Sequence, residues 1–140
     1  MKRLRWVLFI LYCLFIVWYT VLSRQPSEHH QVEWRLFWSY REMLTGDPNW
    51  KKDVIQNLQN ILFFIPFGVL FPNKRWWATV LLAAVFSILI EVIQFVGGYG
   101  LAELDDVICN VLGAMIGFWI SICFKKVFCK QAKERMVDMK

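Results

Sequence analysis

Apolar residues in this chain gather into four long runs with short polar segments between them. Residues 6–22 carry no charge over 17 positions, 76–96 run for 21 and 107–124 for 18. Runs of this length match the roughly 20 residues a helix needs to cross about 30 Å of hydrocarbon. The remaining run, 58–71, is shorter and is interrupted by Gln59, Asn60 and Pro66. A helix starting near Pro48, with Asp47 as its cap and proline in the first turn, supplies the missing length. The pattern predicts an all-α polytopic membrane protein, a four-transmembrane-helix bundle with spans at about 6–22, 54–71, 76–96 and 107–124. The glycines at 97, 98 and 100 break the chain between the third and fourth spans and make those two helices antiparallel neighbours, and Asn73-Lys74-Arg75 makes an equally short turn between the second and third.

The external segment 23–53 has its own periodicity. Leu36, Phe37, Tyr40, Met43 and Leu44 share one helical stripe, and Arg35, Ser39 and Glu42 fall mostly off it. This predicts a short external amphipathic helix, either lying in the membrane interface or capping the bundle.

Composition sharpens the class. Of 140 residues 58% are apolar, against roughly 45 to 50% in soluble domains. Four spans occupy about half the chain and leave no room for a soluble catalytic domain, so 1–140 is expected to be a single membrane domain. Lys2, Arg3 and Arg5 before the first run resemble a secretory signal, yet residues 20–24 offer no small-x-small cleavage site, and the run is read as a retained helix.

Charge orients the spans. One face receives 11 basic residues (Lys2, Arg3, Arg5, Lys74, Arg75 and six from the tail 125–140) against Glu134 and Asp138; the other receives five basic residues against eight acids. Both termini are therefore expected in the cytoplasm, with 125–140 as a basic cytoplasmic tail. The net charge of +5 is an orientation signal, and no nucleic-acid partner is expected. Cys13, Cys109, Cys123 and Cys129 show neither CxxC nor secreted-framework spacing and read as packed or lipid-facing thiols. Glu28, His29 and His30 read as a solvated loop, since adjacent histidines do not share a helical face; no metal and no cofactor are expected.

Polar residues at membrane depth are costly and turn toward protein, so their phases carry information. Asn57, Asn60, Phe64 and Gly68 line one stripe of the second span, Ser87, Glu91, Gln94 and Gly98 one of the third, and Asp106, Asn110, Gly113 and Gly117 one of the fourth. The stripes predict a polar pocket open to the external face, formed by Asn57, Asn60, Glu91, Gln94, Asp105, Asp106 and Asn110. A carboxyl at the depth of Glu91 costs about 2.5 to 3.5 kcal/mol unless paired or wetted, and no Lys or Arg lies within the spans to pair with it. Interhelical hydrogen bonds contribute only about 0.6 kcal/mol each, so structural glue needs few of them. Pro66 removes a backbone bond to Leu62 and is placed to bend the second helix around the pocket. Gly68, Gly113 and Gly117 permit close helix contact; the Gly113-Gly117 step favours packing within the bundle over a homodimer, which it would also serve.

Three segments together resemble the VanZ-like family: residues 60–68 (Asn-Ile-Leu-Phe-Phe-Ile-Pro-Phe-Gly), 87–94 (Ser-Ile-Leu-Ile-Glu-Val-Ile-Gln) and 105–117 (Asp-Asp-Val-Ile-Cys-Asn-Val-Leu-Gly-Ala-Met-Ile-Gly). The likeness spans about residues 54–120; where many members carry an arginine before the paired aspartates, this chain has Tyr99, Gly100, Leu101 and Ala102. The resemblance implies a protein of the bacterial cytoplasmic membrane associated with low-level resistance to lipid-tailed glycopeptides, teicoplanin in particular. It brings no established catalytic residues.

The leading expectation is a binding or surface-modifying protein whose outer pocket engages a lipid head group, a lipid-linked wall precursor or a lipoglycopeptide. An alternative is a small enzyme acting on a lipid-linked isoprenoid or phospholipid substrate, with paired carboxylates as acid and base or as magnesium ligands. Missing nucleophile-and-base pairs and phosphate-binding arginines weigh against it. A third is an accessory subunit docking a partner through the 36–44 stripe. Transport is least expected in a monomer, because four spans make a thin wall for a pathway.

Overall fold

A computed structural model describes residues 2–22, 32–33, 38–46, 50–73, 75–99 and 102–138. Helix α1 (Lys2–Val17) ends in a π-helical turn, Trp18–Leu22; β1 (Val32–Glu33), α2 (Trp38–Thr45), α3 (Trp50–Leu70), α4 (Trp76–Gly97), β2 (Ala102–Glu103) and α5 (Leu104–Asp138) follow. Four stretches, Arg3–Leu22, Trp50–Leu70, Trp76–Gly97 and Leu104–Val127, are long and apolar enough to cross a membrane. The protein is an all-α polytopic membrane protein, as its apolar pattern predicts.

The α3–α5 pair is the centre of the bundle. A Cβ on Gly68 would strike the carbonyl oxygen of Ala114, and one on Gly113 or Gly117 would strike the carbonyl of Ile61 or Ile65. Only hydrogen at these positions lets the two backbones touch, replacing side-chain interdigitation with close backbone contact. The Gly113-Gly117 step is thus used inside the bundle. Pro66 lies within a continuous α3. One turn back, the Phe63 carbonyl accepts a hydrogen bond from the Tyr12 hydroxyl at 2.7 Å, tying α1 to α3.

An aromatic cluster fills the core where α1, α3 and α4 meet: Phe9 packs on Phe67 and Phe71, and Phe67 stacks on Phe86 at 5.6 Å. At the same end Arg5 Nη2 donates to the carbonyls of Val69 (2.8 Å) and Phe71 (3.3 Å), so a cation covers the orphan carbonyls at the C-terminus of α3. Trp6, Trp76 and Trp77 are exposed around this end, the arrangement of an interfacial aromatic belt. The turn into α4 is fixed by Asn73 Oδ1, which accepts from the Arg75 amide at 3.0 Å; Lys74 lies outside the described residues. We call this the basic end and the opposite one the polar end.

Three features go beyond the sequence pattern. Helix α5 begins at Leu104, so the paired aspartates occupy its first turn, where the unpaired amides and dipole of a helix N-terminus favour negative charge. The same helix continues through Asp138, making the basic tail a helical extension of the last span. Third, β1 pairs in parallel with β2, Val32 opposite Ala102 and Glu33 opposite Glu103, a ribbon too short to leave any periodicity in the sequence.

Helix α2 packs on α3; of the 36–44 stripe, Met43 and Leu44 are 42% and 82% exposed. Leu36 and Phe37, the Asp47-Pro48 cap, and Glu28, His29 and His30 lie outside the described residues, as does the side chain of Tyr40. Gly98 closes α4 at φ 66°, with the Tyr99 amide donating back to the Gln94 carbonyl at 2.8 Å, the left-handed helix end that glycine permits. Cys13, Cys109 and Cys123 are free thiols, half-buried, buried and exposed respectively.

Candidate functional site

Helix phase brings the polar stripes together at the polar end. Asn60 on α3, Glu91 and Gln94 on α4, and Asp106 and Asn110 on α5 line one cavity with Thr20 from the π-helical turn of α1. Five of the seven candidate ligand residues therefore meet at one point. Asn57 and Asp105 are buried nearby, 1% and 2% exposed, without lining that cavity. Counting 1.5 Å per helical residue, Glu91 and Asn110 both sit roughly 9 Å from the polar ends of their helices.

Hydrogen bonds lock the cluster. Glu91 Oε2 accepts from the Glu103 backbone amide at 3.1 Å, so the ribbon supplies a donor to a carboxylate that has no cation in its span. Gln56 Nε2 donates to Asp106 Oδ2 at 3.3 Å. Asn110 Nδ2 donates to Ser87 Oγ at 2.8 Å, joining α5 to α4. Gln94 Nε2 donates to the Thr20 carbonyl at 2.9 Å, satisfying one of the carbonyls that the end of α1 leaves without a helical partner.

The cavity itself is small, about 10 Å³, near the minimum that accepts a single water molecule. Asn60 Nδ2 and Asn110 Oδ1 are buried atoms without a hydrogen-bond partner, one donor and one acceptor on its wall, which is the pairing a bridging water satisfies. A head group does not fit there. Space for a ligand lies on the other side of Glu91, in a groove of about 360 Å³ between α4 and α5 beneath the ribbon, lined by Ile88, Val92, Phe95, Ala102, Leu104 and Val107 together with Glu33, Glu91 and Glu103. Glu91 faces both spaces.

Sequence reasoning missed Glu33, Glu103, Gln56 and the Thr20 carbonyl as members of this region. Glu33 and Glu103 sit in loop-like segments with no helical phase, and a backbone carbonyl or amide carries no residue-type signal. Gln56 was legible in principle, one residue before Asn57 and within the same turn. Ser87 was on the polar stripe of its helix, and the structure gives it its partner. Among the described residues no group of three His, Cys, Asp or Glu side chains is placed to hold a metal ion.

Four spanning helices closed around a buried carboxylate-amide cluster at one end define a small polytopic membrane protein with an intramembrane polar centre. The VanZ/LLP1 family model matches residues 9–125, and the chain belongs to that family. Over 64 residues it is 33% identical to Protein VanZ of Enterococcus faecium, a match covering 43% of this chain and 40% of the length of that protein. No solved structure is significantly similar.

Proposed function

We propose that this protein lowers the susceptibility of a bacterial membrane to lipid-tailed glycopeptides such as teicoplanin, by engaging a lipid, a lipid-linked wall precursor or the drug itself at the outer leaflet. The observation that carries the reading is Glu91: it is 8% exposed, belongs to the locked polar cluster, and also lines a ligand-sized groove. Burying a carboxylate costs several kcal/mol before compensation, a cost out of proportion to the modest gain from interhelical hydrogen bonds. The positive-inside rule puts the basic end in the cytoplasm and the polar end outside, where glycopeptides and wall precursors are met. Family membership and the relative named Protein VanZ support the link to resistance.

In this reading the polar cluster holds Glu91 and the ribbon in place, and the neighbouring groove takes the apolar part of the ligand. The test is protection against teicoplanin in a sensitive bacterium expressing the chain, with Asn60, Glu91 and Asp106 replaced together by Ala, Gln and Asn. Protection is lost at unchanged membrane abundance; retained protection overturns the reading. Metal-dependent turnover of an isoprenoid phosphate by purified protein, lost in Asp106→Asn, would replace binding with catalysis.

A further inference from the structure

Helix α5 continues without a break to Asp138, past the apolar span that ends at Val127. One stripe along it, stepping alternately by four and three residues, passes through Leu112, Ile116, Trp119, Cys123 and Lys126, and then through positions 130 and 133, both lysine. Residues three and four apart share a helical face. Leu112, Ile116, Trp119, Cys123 and Lys126 are all exposed. The opposite face is the one pressed on α3, where Gly113, Ala114 and Gly117 are buried. We infer that the exposed stripe is a binding surface for phospholipids with a net negative head group, whose acyl chains lie on its apolar part and whose phosphates lie under its lysines. This surface is independent of the proposed function.

Helical geometry decides the partner. A residue 18 positions further on lies about five whole turns along the same face. Position 130 therefore continues the face of exposed Leu112, whereas Gln131 and Ala132 continue those of buried Gly113 and Ala114. The lysines stand on the side where the helix meets hydrocarbon, and the side that meets α3 carries neutral residues at the same level. Glu134 and Asp138, the acids of the tail, fall about 80° and 120° around the helix from Lys126. At 1.5 Å per residue, positions 130 and 133 lie about 6 and 10 Å beyond Lys126 along the axis. Both distances are within about one Debye length at 0.1 M salt, so all three charges act on the head-group layer. A lysine at that boundary lays its aliphatic stem along acyl chains and extends its ammonium to the phosphates. An acidic protein or a nucleic acid approaching from water would meet only the lysines. A phospholipid touches both parts of the stripe at once, and a net negative one gains about fivefold in affinity per lysine near the surface.

The experiment uses the full chain in lipid nanodiscs with trace photoactivatable phosphatidylglycerol or phosphatidylcholine, each carrying a diazirine near the glycerol end of one acyl chain. Phosphatidylglycerol cross-links concentrate on Trp119 and Cys123 and exceed those of phosphatidylcholine there about tenfold at 0.1 M salt, the ratio expected of one lysine at the surface and two further out. Lys126→Gln lowers that ratio about two- to fivefold. A rearranged variant combining Lys130→Gln, Gln131→Lys, Ala132→Lys and Lys133→Ala keeps composition and net charge and moves both lysines onto the face of Gly113 and Ala114. It lowers the ratio by a similar factor at an unchanged melting temperature; Lys130→Gln with Lys133→Gln reads the same loss if the rearranged chain does not fold. Arg3→Gln, which removes an exposed charge of the same end from α1, leaves the ratio at its wild-type value. Equal labelling by the two lipids, an undiminished ratio when the lysines are moved, or an equal loss in Arg3→Gln overturns the inference. An acidic protein that binds the wild type and not the rearranged variant, beside a lipid ratio of one, also overturns it and assigns the stripe to a protein partner.

Discussion

Glu91, 8% exposed, lines both the polar cavity and the apolar groove, and its Oε2 accepts from the Glu103 amide. Its phase with Ser87 and Gln94 turned it inward, and the scarcity of compensation for a carboxylate at that depth marked it as more than packing. Its donor, the Glu103 amide, was invisible, because every residue but proline has such an amide and only the ribbon decides where this one points. The aspartates divide in the same way: both are buried, yet Asp106 lines the polar cavity and Asp105 does not, a distinction set by one residue of helical rotation. At Tyr12 the account is directly measurable. Tyr12→Phe removes the hydrogen bond to the Phe63 carbonyl and should lower stability by about 0.6 kcal/mol, the average for such bonds in membranes, read as a small drop in unfolding midpoint in detergent. An unchanged midpoint would show that the bond does not hold α1 to α3.

Helices were legible as elements because apolar length and polar phase are written in the side chains, and the ribbon was not, because two residues on each strand make no period. The Gly113-Gly117 step was legible as a contact face; its partner on α3, the Ile61 and Ile65 carbonyls, is backbone and came only with the structure. Gly117→Leu forces a branched side chain onto the Ile65 carbonyl and should destabilise the protein by about 1 to 3 kcal/mol, the range for overpacking. Thermal unfolding of the purified variant checks this, and a wild-type melting temperature would mean that α3 and α5 are not in backbone contact. At the C-terminus of α3, Arg5→Ala uncovers the Val69 and Phe71 carbonyls and should cost about 0.3 to 1 kcal/mol.

At the scale of the whole molecule, the charge asymmetry and the polar cluster support one account: a basic end inside, a polar end outside, and Glu91 shared between the polar cavity and an apolar groove. Orientation is checked in a variant lacking the native cysteines. Leu44→Cys should react with a membrane-impermeant maleimide on intact cells and Trp77→Cys only after permeabilisation; the reverse pattern inverts the account. Overall architecture was legible from hydropathy because the bilayer demands satisfied backbones in long apolar helices. The groove was not, since empty space between α4 and α5 depends on how far apart two helices are held. The most direct test of the central claim is the teicoplanin susceptibility of a sensitive bacterium expressing the wild type, Glu91→Gln or Asp106→Asn at equal membrane abundance, with vancomycin as the control without a lipid tail. The account predicts protection by the wild type, selective for teicoplanin and lost in both variants; full protection by both variants would contradict it.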